Sequence, residues 1–496
     1  MRARVLAAAL AAAGLTTLAS LSGPAQAAGK EAELLQKLAE RMEKLEARNA
    51  ALAQELKTLK ADNEKIEKGL ESERISQYEP ELTARLKAVE KDAQDARKAA
   101  KVIEALDGIK AGASLTTVAQ KASGLPTGTA NNNGQLSYRA DVEVELPLGP
   151  IGSIEQKLFA HFRLGQGLGH NETFGNLGLF SPPNGTAFRI GGVDNDNSSA
   201  LLAQAWYQAS IPLPYGGFAP HSREKLELTF GKIDLFGFFD QNEVAGDEAG
   251  QFMNTMLVHN PLLDGGGEIA PDGNGFQPGF IAAYVNEKDG AEPWRVSLGV
   301  FGSGERGAGF GRSFNSPLTI AQAEKQLKLF GGLAGNYRAY AWHRSRAPEL
   351  DGVSERNHTG FGFSVDQQVG DGVKLFGRYG KLVKGELAFD RALALGAEIN
   401  GSHWGRAGDA LGFAGAWLKA SSDFRRAGGS GDLDGDGVAD FNYTPSGAEK
   451  LAEIYYRYRV SPEFHLSPDF QWIGRGGANP DAKSVKVVGL RANVSF

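Results

Sequence analysis

The chain of 496 residues contains no cysteine, which excludes a disulfide framework, a thiol nucleophile, a thiolate metal site and a covalently attached c-type haem. Its formal net charge of -6 argues against nucleic acid as a partner. Beyond the first thirty residues no apolar run is long enough for a transmembrane helix, and the mean hydropathy is -0.29. No serine-hydrolase elbow, zinc-protease helix or phosphate-binding glycine loop lies in a suitable context, so the sequence does not indicate an enzyme.

The first residues indicate export from the cytoplasm. Arg2 and Arg4 precede an apolar stretch, and the small residues Ala25 and Ala27 then supply a cleavage signal. An uncleaved anchoring helix is the weaker alternative, because small residues follow the apolar stretch directly. We therefore expect a signal peptide over residues 1–27 in a Gram-negative-type bacterium.

Residues 30–72 have the composition of a long helix, rich in Ala, Glu, Lys and Leu. Apolar side chains alternate spacings of three and four, which is the heptad pattern of a coiled coil. Asn49 and Asn63 occupy two core positions, where a polar residue costs stability and specifies register and oligomer number. The pattern predicts a helix of roughly 60 Å that associates with identical copies. Dimer and trimer both remain open.

A second helical segment is predicted for residues 78–112, because Pro80 opens a stretch rich in helix-forming residues. Residues 113–133 lead into the run TGTANNNG, residues 127–134, which is typical of a linker. After this linker the pattern of apolar and polar residues changes, and the new pattern continues to the last residue.

Short stretches with a two-residue period fill residues 134–496. In LSYRADVEVEL, which starts at Leu136, apolar side chains take one face and mostly charged side chains the other. Similar stretches return many times between turns rich in Gly, Asn and Asp, and the last strand ends in the aromatic Phe496. Together with export, this predicts an all-β antiparallel transmembrane barrel of about 16 strands, with apolar faces toward lipid and polar faces toward a water-filled lumen.

The stretch LTFGKIDLFGFFDQNEVAGDEAGQFMNTMLVHNP, residues 228–261, resembles a block of the carbohydrate-selective porin family of the OprB type. In that block a Gly-Lys-x-Asp strand end leads into Phe-Asp-x-Asn, Ala-x-Asp-Glu, Gln-Phe and Asn-Pro. The stretches WRVSLGVFGSGE, FGFSVDQQVGDGVKLFGRYGK, GAEINGSHWGRAGDALGFA and GLRANVSF are similar to its middle and closing strands. The resemblance covers most of residues 131–496 and leaves out the coiled coil. It implies a passive diffusion channel with a preference for sugars.

An even strand number brings both ends of the barrel to the periplasmic side. We therefore expect the barrel in the outer membrane and the coiled coil in the periplasm. The expected partners are outer-membrane lipid, small polar solutes such as sugars, identical copies in a homotrimer, and the cell wall through the coiled coil. Nucleic acid is not expected as a partner. The only cofactor that the sequence suggests is calcium, on the basis of the single acidic motif described below.

Polar side chains on the lumen face are candidates for solute selectivity, because a pore selects by diameter, hydrogen-bonding groups and charge. Both charge signs are present there, which favours neutral polar solutes over ions of one sign. The candidates are Arg139, Asp141, Glu143, His161, Arg163, Arg338, Arg344, Asp366, Arg378, Glu453, Arg457 and Arg459.

Two tryptophans are candidates for stacking on sugar rings. Trp206 follows Gln204, and Trp342 follows Arg338, each with the spacing that puts the pair on one strand face. The alternatives are internal packing and the aromatic belt at the membrane interface.

The run DLDGDGVAD resembles a calcium loop, because alternate acidic residues of a tight turn can converge their oxygens on one ion. The twelfth position of such a loop holds Tyr443 instead of a carboxylate, so a solvated acidic loop is an equal alternative. The acidic residues are Asp432, Asp434, Asp436 and Asp440.

The leading hypothesis is a trimeric porin for sugars or other small polar solutes. One alternative is a structural protein whose coiled coil tethers the envelope while the barrel anchors it. A second alternative is an anion-selective porin of the phosphate type.

Overall fold

The computed structural model describes residues 54, 57, 58, 60, 61, 108–126, 134–190, 197–215, 222–263, 276–302, 313–351, 354–429 and 441–496. The chain divides into two compact units, Met1–Asp107 and Gly108–Phe496. The described residues of the first unit are helical and exposed. The predicted signal peptide, both coiled-coil asparagines and the four aspartates of the calcium-like loop lie outside the described residues, so these predictions stay untested.

The described part of the second unit forms sixteen strands that close into one antiparallel barrel. Each strand pairs with its neighbour in the chain, and the first pairs with the last. The predicted barrel of about 16 strands is therefore confirmed. No helix within the described residues is long and apolar enough to cross a membrane. The strands are β1 (Lys110–Ser123), β2 (Gln135–Ile151), β3 (Ile154–Gln166), β4 (Ser199–Leu213), β5 (Glu224–Asp234), β6 (Phe276–Asn286), β7 (Trp294–Phe301), β8 (Leu318–Leu329), β9 (Leu333–Pro348), β10 (Glu355–Gly370), β11 (Val373–Lys384), β12 (Phe389–Asn400), β13 (Ala410–Ala420), β14 (Ala448–Arg459), β15 (Phe464–Gly474) and β16 (Val485–Ser495).

The first strand corrects the predicted domain boundaries. β1 occupies the start of the predicted linker, residues 113–133, and the last residues of the predicted helical segment, 78–112. It pairs with β2 on one side and β16 on the other, so the barrel begins before residue 134. Each face of β1 mixes polar and apolar residues, so no polar–apolar alternation marks the strand. Its lumen face carries Thr116, Val118 and Gln120, and its outer face carries Leu115, Thr117 and Ala119.

Side chains alternate between the two faces of the wall, as the two-residue period predicts. In β2, Leu136 is 68% exposed on the outer face, whereas Ser137 and Arg139 are 2% and 5% exposed on the lumen face. Closure of the sheet pairs every strand on both sides, which satisfies the backbone groups that lipid cannot. Large apolar side chains exposed on the outer face recur around the barrel: Phe162, Phe230, Leu298, Phe363, Leu395, Phe413, Ile454 and Leu490.

The two ends of the barrel differ in their connections. β1 starts and β16 ends at the same end, called here the terminal end, where short turns join β2 to β3, β8 to β9 and β10 to β11. The opposite end, called the loop end, carries the longest connections. Two of them fold into the lumen: loop A, residues 167–190 with the helix α1 (Asn171–Asn176), and loop B, residues 235–263 with the helix α2 (Thr255–Val258).

The hydrophobic core lies inside the barrel, between loop B and the wall. Phe239 and Phe252 of loop B are fully buried. The ring of Phe239 lies 6.0 Å from that of Phe301 in β7, and the ring of Phe252 lies 5.5 Å from that of Phe376 in β11. Apolar packing therefore holds loop B against the wall at β7 and at β11.

Candidate pore constriction

Asp240 fixes the start of loop B against β9 and β11. Its buried carboxylate accepts hydrogen bonds from Arg378 Nε at 3.0 Å, from the Tyr340 hydroxyl at 2.7 Å and from the backbone N–H of Asn260 at 2.6 Å. Arg378 also donates to two carbonyl oxygens farther along loop B. Arg378, predicted as a selectivity residue, is thus an anchor for the loop.

The tip of loop B, residues 247–254, is held by β14 and β15, which follow β11 at a distance of three and four strands around the wall. The Glu453 carboxylate accepts from the backbone N–H groups of Met253 at 2.6 Å and Asn254 at 3.0 Å. The Asn254 amide donates to the Gln471 side chain at 2.9 Å. Glu453, another predicted selectivity residue, therefore binds the backbone of the loop and not a passing solute.

Two arginines complete the attachment of the tip. Arg491 Nη1 donates to the carbonyl oxygens of Glu248 and Gln251, at 2.8 Å each. Arg457 Nη1 donates to the carbonyl of Gly250 at 2.9 Å. Loop B is in this way bound at both sides of the lumen, so it crosses the channel as a fixed constriction.

Loop A packs beside the tip and is held by the same strands. The Glu449 carboxylate accepts from the backbone N–H groups of Phe180 at 2.9 Å and Gly477 at 2.6 Å. The Gln471 amide donates to the carbonyl of Pro183 at 2.9 Å. A backbone hydrogen bond of 2.6 Å joins loop A to loop B. The two loops therefore narrow the lumen together.

A charged cluster lies where the tip meets β2 and β3. The Asp141 carboxylate is 2.7 Å from Arg139 Nε, 2.7 Å from His161 Nε2 and 2.6 Å from Arg163 Nε. Arg139 Nη1 donates to Glu248 of the tip at 2.8 Å. Burial by itself raises the pKa of the Glu248 carboxyl, but the guanidinium groups of Arg139 and Arg163 lower it to about 2. Four predicted candidates thus meet here.

Trp206 lies on the lumen side of β4, half-buried. Its ring stacks on Phe159 with centroids 4.7 Å apart and meets Phe238 of loop B edge-on at 5.7 Å. Its indole N–H donates to Gln204 at 3.2 Å, and the Lys157 ammonium lies 5.5 Å from the ring. One ring face is therefore covered, while part of the side chain stays accessible beside the constriction.

Trp342 does not fit the predicted stacking role, because the side chain is only 1% exposed. Its ring packs against the backbone of Gly360, where an added Cβ would lie 2.1 Å from a ring atom, and lies 6.2 Å from the ring of Tyr340. The period of the strand places Trp342 on the lumen face, as expected. Protein atoms cover that face at this point, which the period could not reveal.

The other predicted candidates lie along the wall. Arg338 sits between the carboxylates of Glu324 at 3.0 Å and Asp366 at 2.8 Å. Arg344 is fully buried. Further pairs of opposite charge on the wall are Lys157–Glu145, Arg295–Glu227 and Arg457–Glu398, and Lys374 of β11 pairs with Glu243 of loop B. The lumen charges are thus mostly matched by neighbours of opposite sign.

Glu143 and Arg459 are exposed toward the terminal end, away from the tip of loop B. Within the described residues, no group of three His, Asp or Glu side chains is placed to hold a metal ion. Because the calcium-like loop lies outside those residues, calcium there stays a prediction.

Sequence reasoning missed the residues that build the constriction from the loop side. Asp240 and Glu248 lie in the stretch that carries the family resemblance, but no role was assigned to them. Arg491 was missed as well, although the period of the last strand puts it on the lumen face between outward Leu490 and Ala492. A large charged side chain on that face is a usable signal, because it needs a partner when buried.

A family model described as "Carbohydrate-selective porin, OprB family" matches residues 127–496. Among solved structures, the chain is similar to the high-pH structure of Pseudomonas putida OprB, with a TM-score of 0.62 and 19% identity over 79% of this chain and 96% of that chain. It is also similar to an uncharacterized protein of Aquifex aeolicus (strain VF5), 32% identical over 132 residues, which are 26% of this chain and 36% of that protein. The match thus spans about a third of that relative's length.

Proposed function

Because this chain belongs to the carbohydrate-selective porin family, OprB, we propose that its barrel is an outer-membrane channel for the passive diffusion of carbohydrates or other small polar solutes. The attachment of loop B across the lumen carries the proposal. A closed barrel of about 16 strands leaves an aqueous channel. A loop fixed at both sides of that channel narrows it to a filter without closing it by a hinge.

The charges of the lumen favour solutes without net charge. A pore selects ions through rings of charge of one sign. Here the Asp141 carboxylate faces two arginines, and Arg338 lies between two carboxylates. Because each charge lies next to one of opposite sign, the net electrostatic field in the lumen is small. The polar groups can still form hydrogen bonds, which suits neutral solutes rich in hydroxyl groups.

Trp206 supplies a flat apolar surface next to these polar groups. Sugar rings have apolar faces that stack on aromatic rings, while their hydroxyl groups need hydrogen-bond partners. We propose that a sugar makes its preferred contact at Trp206, beside the charged cluster, and we assign Trp342 to packing. The wall charges outside this region then solvate the passing solute.

Liposome swelling tests this function directly. Vesicles containing the purified barrel should swell in sugars below a size limit and more slowly in charged solutes of equal size. Trp206→Ala should reduce the preference among sugars, because it removes the stacking surface. Trp417→Ala is the matched control, since Trp417 is 43% exposed on the outer face of β13. Equal swelling rates for sugars and for charged solutes of the same size would count against a carbohydrate preference.

The finer assignments concern the rest of the chain. We propose a homotrimer with residues 1–27 removed as a signal peptide and the coiled coil of residues 30–72 in the periplasm, where it contacts the cell wall. The heptad pattern supports this arrangement, because a/d apolar repeats associate with identical partners. Cross-linking of the mature protein should give a trimer, and Asn49→Leu together with Asn63→Leu should change the oligomer number of the isolated segment.

The heptad pattern also favours the second candidate function, an envelope tether anchored by the barrel. Deleting residues 30–105 leaves β1 whole, so the barrel can close. Loss of envelope attachment with unchanged solute flux would favour the tether. The third candidate, an anion-selective porin, finds no support in the paired lumen charges. A reversal potential that shows strong anion preference in a salt gradient would restore it.

A further inference from the structure

Arg491 lies on the lumen face of β16, the strand that closes the barrel against β1. Its side chain is 1% exposed, and one guanidinium nitrogen donates to two backbone carbonyls of loop B, those of Glu248 and Gln251. Because the acceptors are backbone oxygens three residues apart, the contact fixes the turn of the tip itself. Arg491 thus contacts the backbone of the tip and does not depend on the side chains of Glu248 and Gln251.

The rest of β16 is shaped to receive the tip. Gly489 is the preceding residue on the same face, and a Cβ there would lie 3.0 Å from the terminal methyl of Met253. Because Gly489 has no side chain, Met253 can pack against this part of β16. Arg491 binds the carbonyl oxygens of Glu248 and Gln251 next to Met253. The lumen face of the last strand is in this way a docking site for the tip.

The other contacts of the tip come from strands on both sides of the β1–β16 junction. Arg139 belongs to β2, on one side of that junction, while Arg457 and Glu453 belong to β14, on the other. The tip's docking site therefore becomes complete only when β16 pairs with β1. The last strand therefore links two events: it closes the barrel against β1, and it positions the constriction.

We propose that Arg491 is a positioning residue of the pore: it sets how far the tip of loop B reaches into the lumen and so sets the width of the constriction. This inference rests on the proposed channel function. Arg491 also affects selectivity indirectly. It binds the backbone carbonyl of Glu248, and the carboxylate of the same residue binds Arg139 in the charged cluster.

Single-channel recording on the full-length protein tests the proposal. Arg491→Met keeps much of the side-chain volume but removes the donors, so conductance should depart from the wild-type value in either direction and fluctuate more, and sugar should block it severalfold more weakly. Arg491→Lys retains a donor and should restore part of the block. Asn493→Ala is the matched control, because Asn493 is on the same lumen face of β16 but bonds Thr116 of β1 at 2.9 Å instead of loop B. It should behave as the wild type does.

A second readout does not depend on transport. The chain has no cysteine, so Met253→Cys introduces a single thiol, which the docked tip keeps fully buried. Its reaction with a water-soluble maleimide should be slow in otherwise wild-type protein and severalfold faster when Arg491→Met is added. Heat-modifiable migration on gels verifies that each barrel is closed.

Two results would overturn the proposal: wild-type conductance and block in Arg491→Met, or an unchanged rate of thiol labelling in a closed barrel. A wild-type protein that does not conduct at all would instead contradict the channel function, and the labelling rates would then still decide whether Arg491 positions the tip.

Discussion

The two faces of the barrel wall are built on different rules. On the outer face, Leu136, Phe162 and Leu298 project outward with 68%, 50% and 54% of their surface exposed, and any apolar side chain would serve lipid equally well. On the lumen face, Arg139 and Arg378 are buried, and each binds particular atoms of loop B. The outer face thus depends only on the alternation of apolar residues along each strand, whereas the lumen face depends on hydrogen bonds between particular residues.

This difference implies that tolerance to substitution differs between the faces. The outer face should accept exchanges among apolar residues and reject charge. The lumen face should react to the loss of single hydrogen-bonding groups, because a buried polar group without its partner is costly. Four substitutions, in order of decreasing effect, test this difference between the faces.

Arg378→Met should give the largest loss on the lumen face. It leaves the buried carboxylate of Asp240 without its cation, and breaking such a pair costs about 3–5 kcal/mol. Urea unfolding in lipid vesicles, followed by tryptophan fluorescence, measures the change in the free energy of unfolding. Arg356→Met is the control, because Arg356 and its partner Glu386 are 68% and 44% exposed and such pairs contribute about 1 kcal/mol or less. Equal losses in the two variants would contradict the contrast.

Leu298→Arg should be the costliest change on the outer face. An arginine near the middle of the lipid face costs about 2–4 kcal/mol. The same unfolding experiment measures it, with Leu298→Phe as the control that keeps the face apolar and should stay close to the wild type. The rule for the outer face fails if arginine and phenylalanine are tolerated alike.

The charged cluster should hold the tip over a wide pH range. The pKa of Glu248 is about 2, below the ordinary value of about 4.3, so its contribution is complete above the ordinary value and disappears as the pH falls through about 2. The difference in the free energy of unfolding between the wild type and Glu248→Gln, measured in urea in lipid vesicles, should therefore be similar at pH 7 and at pH 5 and disappear near pH 2. A difference already lost at pH 5 would show that the guanidinium groups do not stabilise this carboxylate.

Lys157→Gln should have the smallest effect. Its partner Glu145 keeps a second contact with Lys110 at 3.1 Å, and the pair is partly exposed to water in the lumen. We expect about 1 kcal/mol or less in stability and a slight shift of the reversal potential toward cations. A strong shift would mean that this position, and not the constriction, governs ion passage.

The sequence predicts the barrel because its main signal is repeated in nearly every strand. β2 could be recognised from Leu136 to Leu146 by alternation alone. β1 could not be recognised, because Thr116 and Thr117 occupy opposite faces and a period needs faces of different polarity. β1 is held in place by pairing with β16, and a pattern within β1 alone cannot indicate a pairing with a strand so distant in the chain.

The constriction could be predicted only in part. The period correctly placed Arg139, Asp141 and Arg163 on the lumen face, where they meet. It could not tell that Arg378 and Glu453 bind loop B, since their partners lie more than a hundred residues away in the chain. It gave the face of Trp342 but not the atoms that cover it. Periodicity predicts the face of a side chain, whereas contacts across the lumen depend on the closed barrel.

Planar-bilayer conductance of the purified protein, in a salt gradient and with a panel of sugars, is the decisive experiment for a carbohydrate channel. We expect stepwise conductance, a reversal potential near zero because the lumen charges are matched, and a stepwise decrease with particular sugars. Absence of stepwise conductance in a closed, heat-modifiable barrel, or steps that no sugar reduces, would contradict this function.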